Sequence, residues 1–409
     1  MSDGPATVGW FVPGRVEVLG KHTDYAGGRS LLAAVDRGHT VRATARPDQI
    51  LHVRSTLSLD AVEIDLDAPE TVQRLGAGHW SGYVHGVVDR LRANFPDMLR
   101  GADITIDSDL PLAAGMSSSS ALVVGLAMTM IELAGIDRTE TFRREVPDRE
   151  RLSEYLGTVE NGQSYGRLEG HRGVGTFGGS EDHTAMLCGR PDALVQYAFC
   201  PVRFERQVPL PPGLALVVGV SGVEAEKTGA AKDLYNRVSL SAREILALWN
   251  RDTGREDLTL GDAVRSSERA GEQLRRIVGE GGYLPGRLAQ FLAESEEIIP
   301  AAAQALADGD LPRFGDLVDR SQHLAEVGLQ NQVPETVTLQ QLARQLGAHA
   351  ASAFGAGFGG SVWALVEADG ADAFATEWFD RYAERHPGPA NAATWLVTRP
   401  GASAHRLEA

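Results

Sequence analysis

Apolar and polar positions divide the chain into two unlike halves. In the first, short alternating runs predict strands at 39–47 (HTVRATARP) and 61–69 (AVEIDLDAP). Helical spacing predicts an amphipathic helix over 79–95. Residues 102–135 predict a strand, a loop of small residues, then an apolar helix, and the charged stretch 138–155 predicts exposed helical and loop material. The second half opens on an apolar strand at 214–222. Helical patterns follow at 236–250, 286–309 and 336–354. Strands at 361–367 and 392–398 flank a helix at 371–386, and the C-terminal tail predicts a frayed end. Strands and helices mix without a regular strand–helix–strand repeat, which favours an α+β class. A chain of 409 residues exceeds one ordinary core, so two domains are expected, 1–205 and 206–409.

Charge narrows the partners. A formal net charge of −16 argues against sequence-independent nucleic-acid binding, which needs a basic surface. A local cluster of cations can still receive an anionic small molecule. The two cysteines, Cys188 and Cys200, lack metal-ligand spacing and read as reduced core thiols. No apolar run reaches the ~20 residues of a membrane helix and no signal peptide is evident. A cytoplasmic protein without a membrane partner is expected.

Three stretches carry chemistry. Residues 14–28 (GRVEVLGKHTDYAGG) crowd Arg15, Lys21, His22, Thr23, Asp24 and Tyr25 between glycines, poor material for a core and good material for a site. Residues 111–125 (PLAAGMSSSSALVVG) put small residues and serines before an apolar helix. Unpaired N–H groups and the dipole of a helix start suit phosphate, and serine hydroxyls can reach phosphate or Mg²⁺. No lysine follows these glycines, so this is not a Walker A loop, and an ordinary capped helix fits as well. Residues 354–366 (FGAGFGGSVWALV) form a second glycine-rich turn, where the backbone approaches a ligand or a neighbouring loop. Asp182, in GGSEDHTAML, fits a helix N-cap as readily as a catalytic acid.

In this order the three stretches resemble the signatures of the GHMP kinase superfamily and, within it, the galactokinase family. GGSEDHTAMLCG (178–189) is similar to the family segment that carries the catalytic aspartate, and NQVPETVTLQQLA (331–343) to a helix start before the third motif. The resemblance implies a two-domain fold, an N-terminal domain like domain 2 of ribosomal protein S5 and a ferredoxin-like C-terminal domain, with the active site between them. It implies transfer of phosphate from ATP, with Mg²⁺, to the anomeric hydroxyl of a sugar. Asp182 would be the catalytic carboxylate and Arg15 the cation beside it. Ala113, Ala114, Gly115, Met116, Ser117, Ser118, Ser119 and Ser120 would bind ATP, with Ser119 on the Mg²⁺ side. Lys21, His22, Asp24, Gly179 and Tyr235 would meet the sugar. These roles suit phosphoryl transfer, which needs positioning, charge neutralisation and a proton acceptor.

The chain departs from the family in three places. Lys21 stands where the family has glutamate, and Glu17 where it has asparagine. An ammonium donates and cannot accept, so one reading is an anionic sugar such as galacturonate or a sugar phosphate. In a second, Lys21 pairs internally with Glu17, four residues away on one face of an extended segment, and a neutral sugar such as galactose still fits; in a third, Lys21 points elsewhere. Residues 162–179 are longer than in the family, which makes them a surface insertion or a lid bringing Arg167, His171 and Arg172 to the site. Tyr235 arrives late after its strand, and Lys227 and Lys232 share its loop. A non-catalytic sugar- and ATP-binding regulator is the rival from another class, and the presence of Arg15, the serines and Asp182 speaks against it.

Overall fold

The computed structural model describes residues 6–56, 58–68, 79–111, 115–175, 177–223 and 230–408, with side chains of the last stretch from 236 onward. Ala113, Ala114, Lys227 and the side chains of Lys232 and Tyr235 lie outside the described residues.

The fold is α+β, with two sheets. The first contains β1 (Thr7–Leu19), β2 (Arg29–Ala45), β3 (Ile50–Ser55), β4 (Val62–Asp65), β5 (Ala102–Ser108), β6 (Ala193–Ala198) and β7 (Arg203–Pro209). The second contains β8 (Leu214–Val220), β9 (Ala350–Phe354), β10 (Ser361–Glu367) and β11 (Thr394–Thr398), and β12 (His405–Arg406) returns to the first. The first sheet runs β12-β1-β2-β5-β3-β4 and branches, because the start of β2 pairs with β6 while its end pairs with β5. Only β3 and β5 are parallel within it. The second sheet, β11-β8-β10-β9, is antiparallel throughout.

Helices α1 (Ser81–Asn94), α2 (Ser118–Ala134), α3 (Glu140–Glu145), α4 (Arg149–Asn161) and α5 (Glu181–Cys188) accompany the first sheet. Then come α6 (Ala230–Thr253), α7 (Leu260–Arg265), α8 (Ala270–Val278), α9 (Leu284–Leu292), α10 (Ile299–Ala307), α11 (Leu311–Leu324), α12 (Pro334–Gln345) and α13 (Ala371–Arg385). One apolar core unites α1, α2 and α4 with β2, β3 and β5. A second joins Val16, Val18 and Leu31 of the first sheet to β8, α10 and α11. This shared core couples the two halves. Among the described residues no helix is long and apolar enough to cross a membrane.

Five expectations change. The pattern at 336–354 ends as a helix at Gln345 and continues as β9, whose five residues are all buried. A strand covered on both faces loses its alternation, so an alanine-rich one reads as helix. The pattern at 286–309 is interrupted by a π-helical segment, Ala293–Ile298. The stretch 138–155 is not merely solvated, since Phe142, Leu152 and Tyr155 enter the first core. The tail is docked rather than frayed: Gly401 donates to Ala34, Ala404 to Met186 and Leu407 to Gly9. Neither cysteine is a core thiol, for Cys188 is half-buried and Cys200 exposed.

Candidate active site

The polar stretch 14–28 is buried almost throughout, Arg15 at 3% exposure and Lys21 at 1%. Burial of so many polar groups is tolerable only where each finds partners. A register shift between Pro13 and Arg15 turns β1 here. Arg15 then meets α5 and the loop before α2. Its Nε donates to Asp182 Oδ1 at 2.6 Å, and one terminal nitrogen donates to the Gly115 carbonyl at 2.6 Å. Burial works against the guanidinium charge, but Asp182, Glu17 and Glu181 outweigh it and raise the Arg15 pKa.

Asp182 lies in the first turn of α5, where the helix dipole favours a carboxylate. Its Oδ2 accepts from Ser117 Oγ at 2.5 Å and Ser120 Oγ at 3.4 Å. Ser117 caps α2 in the left-handed region (φ 56°), which directs its hydroxyl to the carboxylate instead of the helix start. Ser118 turns to His39, 3.1 Å away. Ser119 is half-buried and makes no side-chain hydrogen bond among the described residues. Met116 is buried in the core joining the halves, so its backbone, not its side chain, belongs to the loop.

The second glycine-rich turn meets the first. A Cβ on Gly355 would stand 3.5 Å from the Gly115 carbonyl and 3.6 Å from an Arg15 nitrogen. The neighbouring-loop reading thus describes this turn. His22, in the left-handed region at φ 58°, spans the halves: Nδ1 is 2.9 Å from Tyr25 Oη and Nε2 is 3.1 Å from the Ala356 carbonyl. Asp24 Oδ2 accepts the Glu181 N–H at 3.1 Å. Burial pushes the Asp24 carboxyl up to about 6, with the Glu181 and Tyr25 N–H groups opposing. Gly179 packs against that carboxylate; a Cβ there would stand 2.2 Å from Oδ2.

One cavity gathers Arg15, His22, Asp24, Gly179 and Asp182 with Ser120, Gly355 and Ala356. Sequence reasoning did not anticipate Glu17, Glu160, Glu181 and His183 in its wall. Glu17 and Glu181 are two residues and one residue from Arg15 and Asp182, and that adjacency is the signal that could have found them. Burial raises the pKa of both carboxyls, Glu17 to about 7 against the opposing charges of Lys21 and Arg15, and Glu181 further through its neighbours Glu17, Asp24 and Asp182.

Lys21 does not line this cavity. Its Nζ donates to Ser321 Oγ at 3.1 Å and Ser352 Oγ at 2.8 Å. The proximity of Lys21 lowers the Glu17 pKa against burial, but no ion pair within 4.0 Å joins them among the described residues. Lys21 is thus an ammonium held by serines, near enough to Glu17 to favour its ionisation but outside ion-pair distance. Residues 162–175 fold back on α1 and α4: Arg90 donates to the Gln163 carbonyl, Asn94 to that of Glu169, and Val174 to that of Glu160. Arg167, His171 and Arg172 are exposed and outside the cavity.

A carboxylate fixed by a buried arginine, facing a serine-rich helix start across a cavity between two α+β units, defines a small-molecule phosphotransferase. The GHMP kinases N terminal domain matches residues 82–163, the GHMP kinases C terminal domain residues 302–384, and the galactokinase galactose-binding signature residues 2–45. The chain is 34% identical to a galactokinase of Chloroflexus aurantiacus over 378 residues, 91% of this chain and 87% of that one. It is 29% identical to a galactokinase of Roseiflexus, over 95% and 90% of the two. The crystal structure of Lactococcus lactis galactokinase complexed with galactose superposes with a TM-score of 0.79, at 26% identity, over 100% of this chain and 97% of that one. An L. major mevalonate kinase, 17% identical with a TM-score of 0.58 over 98% and 99% of the two chains, shares the fold. The chain belongs to the galactokinase family of the GHMP kinases, and is an ATP-dependent sugar kinase of that type.

Proposed function

We propose that this kinase phosphorylates the anomeric hydroxyl of galactose, a neutral sugar, in the cytoplasm. The observation that carries this reading is the cavity wall. Among the described residues, Glu17, Asp24, Glu160, Glu181 and Asp182 line it with a single guanidinium, Arg15, while Lys21 is committed to Ser321 and Ser352. Protonated or ionised, these carboxyl groups hydrogen-bond hydroxyls, and those that are ionised repel a uronate or a sugar phosphate.

In this reading Asp182 accepts the proton of the attacking hydroxyl. Arg15 keeps Asp182 ionised, and the donors it does not spend on Asp182 and Gly115 serve a phosphoryl oxygen. Residues 113–120 and the start of α2 receive the nucleotide phosphates. Among the described residues no group of three acidic, histidine or cysteine side chains stands ready for a metal. Mg²⁺ carried by nucleotide phosphates needs only one or two protein oxygens, so the residues fit it: the Ser119 hydroxyl would supply one, and the ion would neutralise phosphate charge. Asp24, His22 and Gly179 shape the sugar side, with Tyr235 as a further contact. The division into two halves belongs to the same reading, but residue 205 lies inside β7 (Arg203–Pro209), so the boundary moves to the link between Pro209 and Leu214, where β8 opens the second sheet.

The test is ADP release with Mg-ATP across galactose, glucose, arabinose, galacturonate, glucuronate and hexose 6-phosphates. Galactose is expected to give the highest kcat/KM. Asp182→Asn is expected to lose about 10²- to 10⁴-fold in kcat. Preference for a uronate or a sugar phosphate would overturn the assignment.

A further inference from the structure

The backbone of residues 20–22 is held by one helical face from the other half of the chain. The Gly20 N–H donates to Glu294 Oε1 at 2.9 Å. The Lys21 carbonyl accepts from Gln290 Nε2 at 3.0 Å, and the His22 carbonyl from an Arg287 terminal nitrogen at 2.7 Å. Positions 287, 290 and 294 are three and four apart, one side of α9 continuing into the π-helical segment. Arg287 and Glu294 are fully buried and Gln290 is 1% exposed. Arg287 also donates to Gln290 Oε1 at 2.6 Å, so the three side chains form one ladder.

The ladder ends at the Lys21 ammonium. Lys21 Nζ donates to Ser321 Oγ, and Ser321 Oγ donates to Glu294 Oε1 at 3.0 Å. Glu294 Oε2 is buried with no hydrogen-bond partner among the described residues. Ammonium and carboxylate thus balance each other across one hydroxyl. Buried ionic groups seldom stabilise more than a well-packed apolar contact would, but they select one geometry sharply. The geometry selected here includes the left-handed His22, which a non-glycine residue adopts only when its surroundings enforce it.

We propose that Lys21, Arg287, Gln290 and Glu294 are positioning residues: a buried polar clamp on residues 20–22 that sets His22 and Asp24, so that α9 and its π-helical extension govern sugar affinity without touching sugar. The clamp's effect on turnover rests on the sugar-kinase reading, and its effect on the loop does not.

The experiment pairs two readouts, hydrogen exchange of amides 20–24 in the ligand-free protein and steady-state kinetics with each substrate varied. Gln290→Ala is expected to speed exchange at 20–24 and raise the sugar KM by about 10-fold, with the ATP KM and kcat held within about 3-fold. Glu294→Gln and Lys21→Met each remove one end of the Lys21–Ser321–Glu294 connection and leave the other end without it, whereas the double variant removes both ends together; its sugar KM is expected to recover to within about 3-fold of the parent. Equal movement of the two KM values, unchanged exchange at 20–24, or a double variant no better than the sum of the singles would overturn the clamp. If the charged singles do not fold, Gln290→Ala and the double variant decide it. If the parent turns over no sugar, the proposed reaction fails while hydrogen exchange still tests the clamp.

Discussion

In a Gly179→Ala variant the new methyl would stand 2.2 Å from Asp24 Oδ2, 2.7 Å from its Cγ and 3.0 Å from the Tyr25 nitrogen. Asp24 cannot retreat with its backbone. It opens a 3₁₀ turn closed by Ala26 N–H to Thr23 and Gly27 N–H to Asp24, at 3.1 and 3.0 Å. The carboxylate must therefore swing aside and give up the Glu181 N–H. A hydrogen bond to a charged group contributes about 1.5–3 kcal/mol, which is roughly 10- to 150-fold in kcat/KM for sugar if Asp24 holds the substrate. In the proposed reading the nucleotide phosphates meet the loop before α2 and not Gly179, so the ATP KM should stay within about 3-fold. The assay is coupled ADP release, with sugar varied at saturating ATP and then ATP at saturating sugar. A melting curve on the same sample excludes loss of folded enzyme. A sugar KM within about 2-fold of the parent would refute the reasoning, because the carboxylate cannot both stay and admit the methyl.

Lys21→Glu should lower the melting temperature without creating a new sugar preference. It places a third acid beside Glu17 and Glu294, and uncompensated buried charge costs about 3–5 kcal/mol; a stable variant that switches sugars would count against the serine-held ammonium. Burial holds the Asp24 carboxyl at about 6 rather than 3.8, so the native state binds the extra proton between those values. Stability should then fall by about 3 kcal/mol as pH rises through that window. Urea melts of the parent and Asp24→Asn at pH 4 and 7 check this, the variant lacking that part of the fall. Deleting residues from Gly401 onward should lower the melting temperature by several degrees, since it uncovers the edge of β1 and removes the fully buried Ala404; an unchanged melt would mean the docked tail contributes nothing.

Much of the site was legible because its chemistry is local in sequence. Arg15, His22 and Asp24 fall within ten residues, and Gly179 and Asp182 within four. Their meeting depends on β1 and α5 lying side by side, which the ordered motifs imply. The direction of a long side chain was not legible. Lys21 follows β1 directly, yet its ammonium turns to Ser321 and Ser352, some 300 residues away in sequence. The choice among serines was hidden too: Ser117 reaches Asp182 because of one left-handed backbone angle, which the run of four serines does not reveal. Strand β9 and the docked tail were misread for a related reason. Their short segments are defined by the strands beside them rather than by their own pattern.

The lysine in the signature is compatible with a neutral substrate once both of its neighbourhoods are considered together. On the cavity side, five carboxyl groups face Arg15. A sugar carboxylate placed about 4 Å from one ionised acid would meet about 4 kcal/mol of repulsion at an effective dielectric constant near 20. Arg15, already committed to Asp182 and Gly115, could offset only part of that. On the far side, Glu294 needs a cation, and Ser321 carries the connection to Lys21. Glu17 meanwhile remains in the wall, its Oε1 buried and unpartnered among the described residues, its carboxyl pushed up to about 7 by burial. The two departures from the family pattern, Glu17 and Lys21, thus separate into different tasks. The glutamate lines the cavity, while the lysine secures the loop from behind.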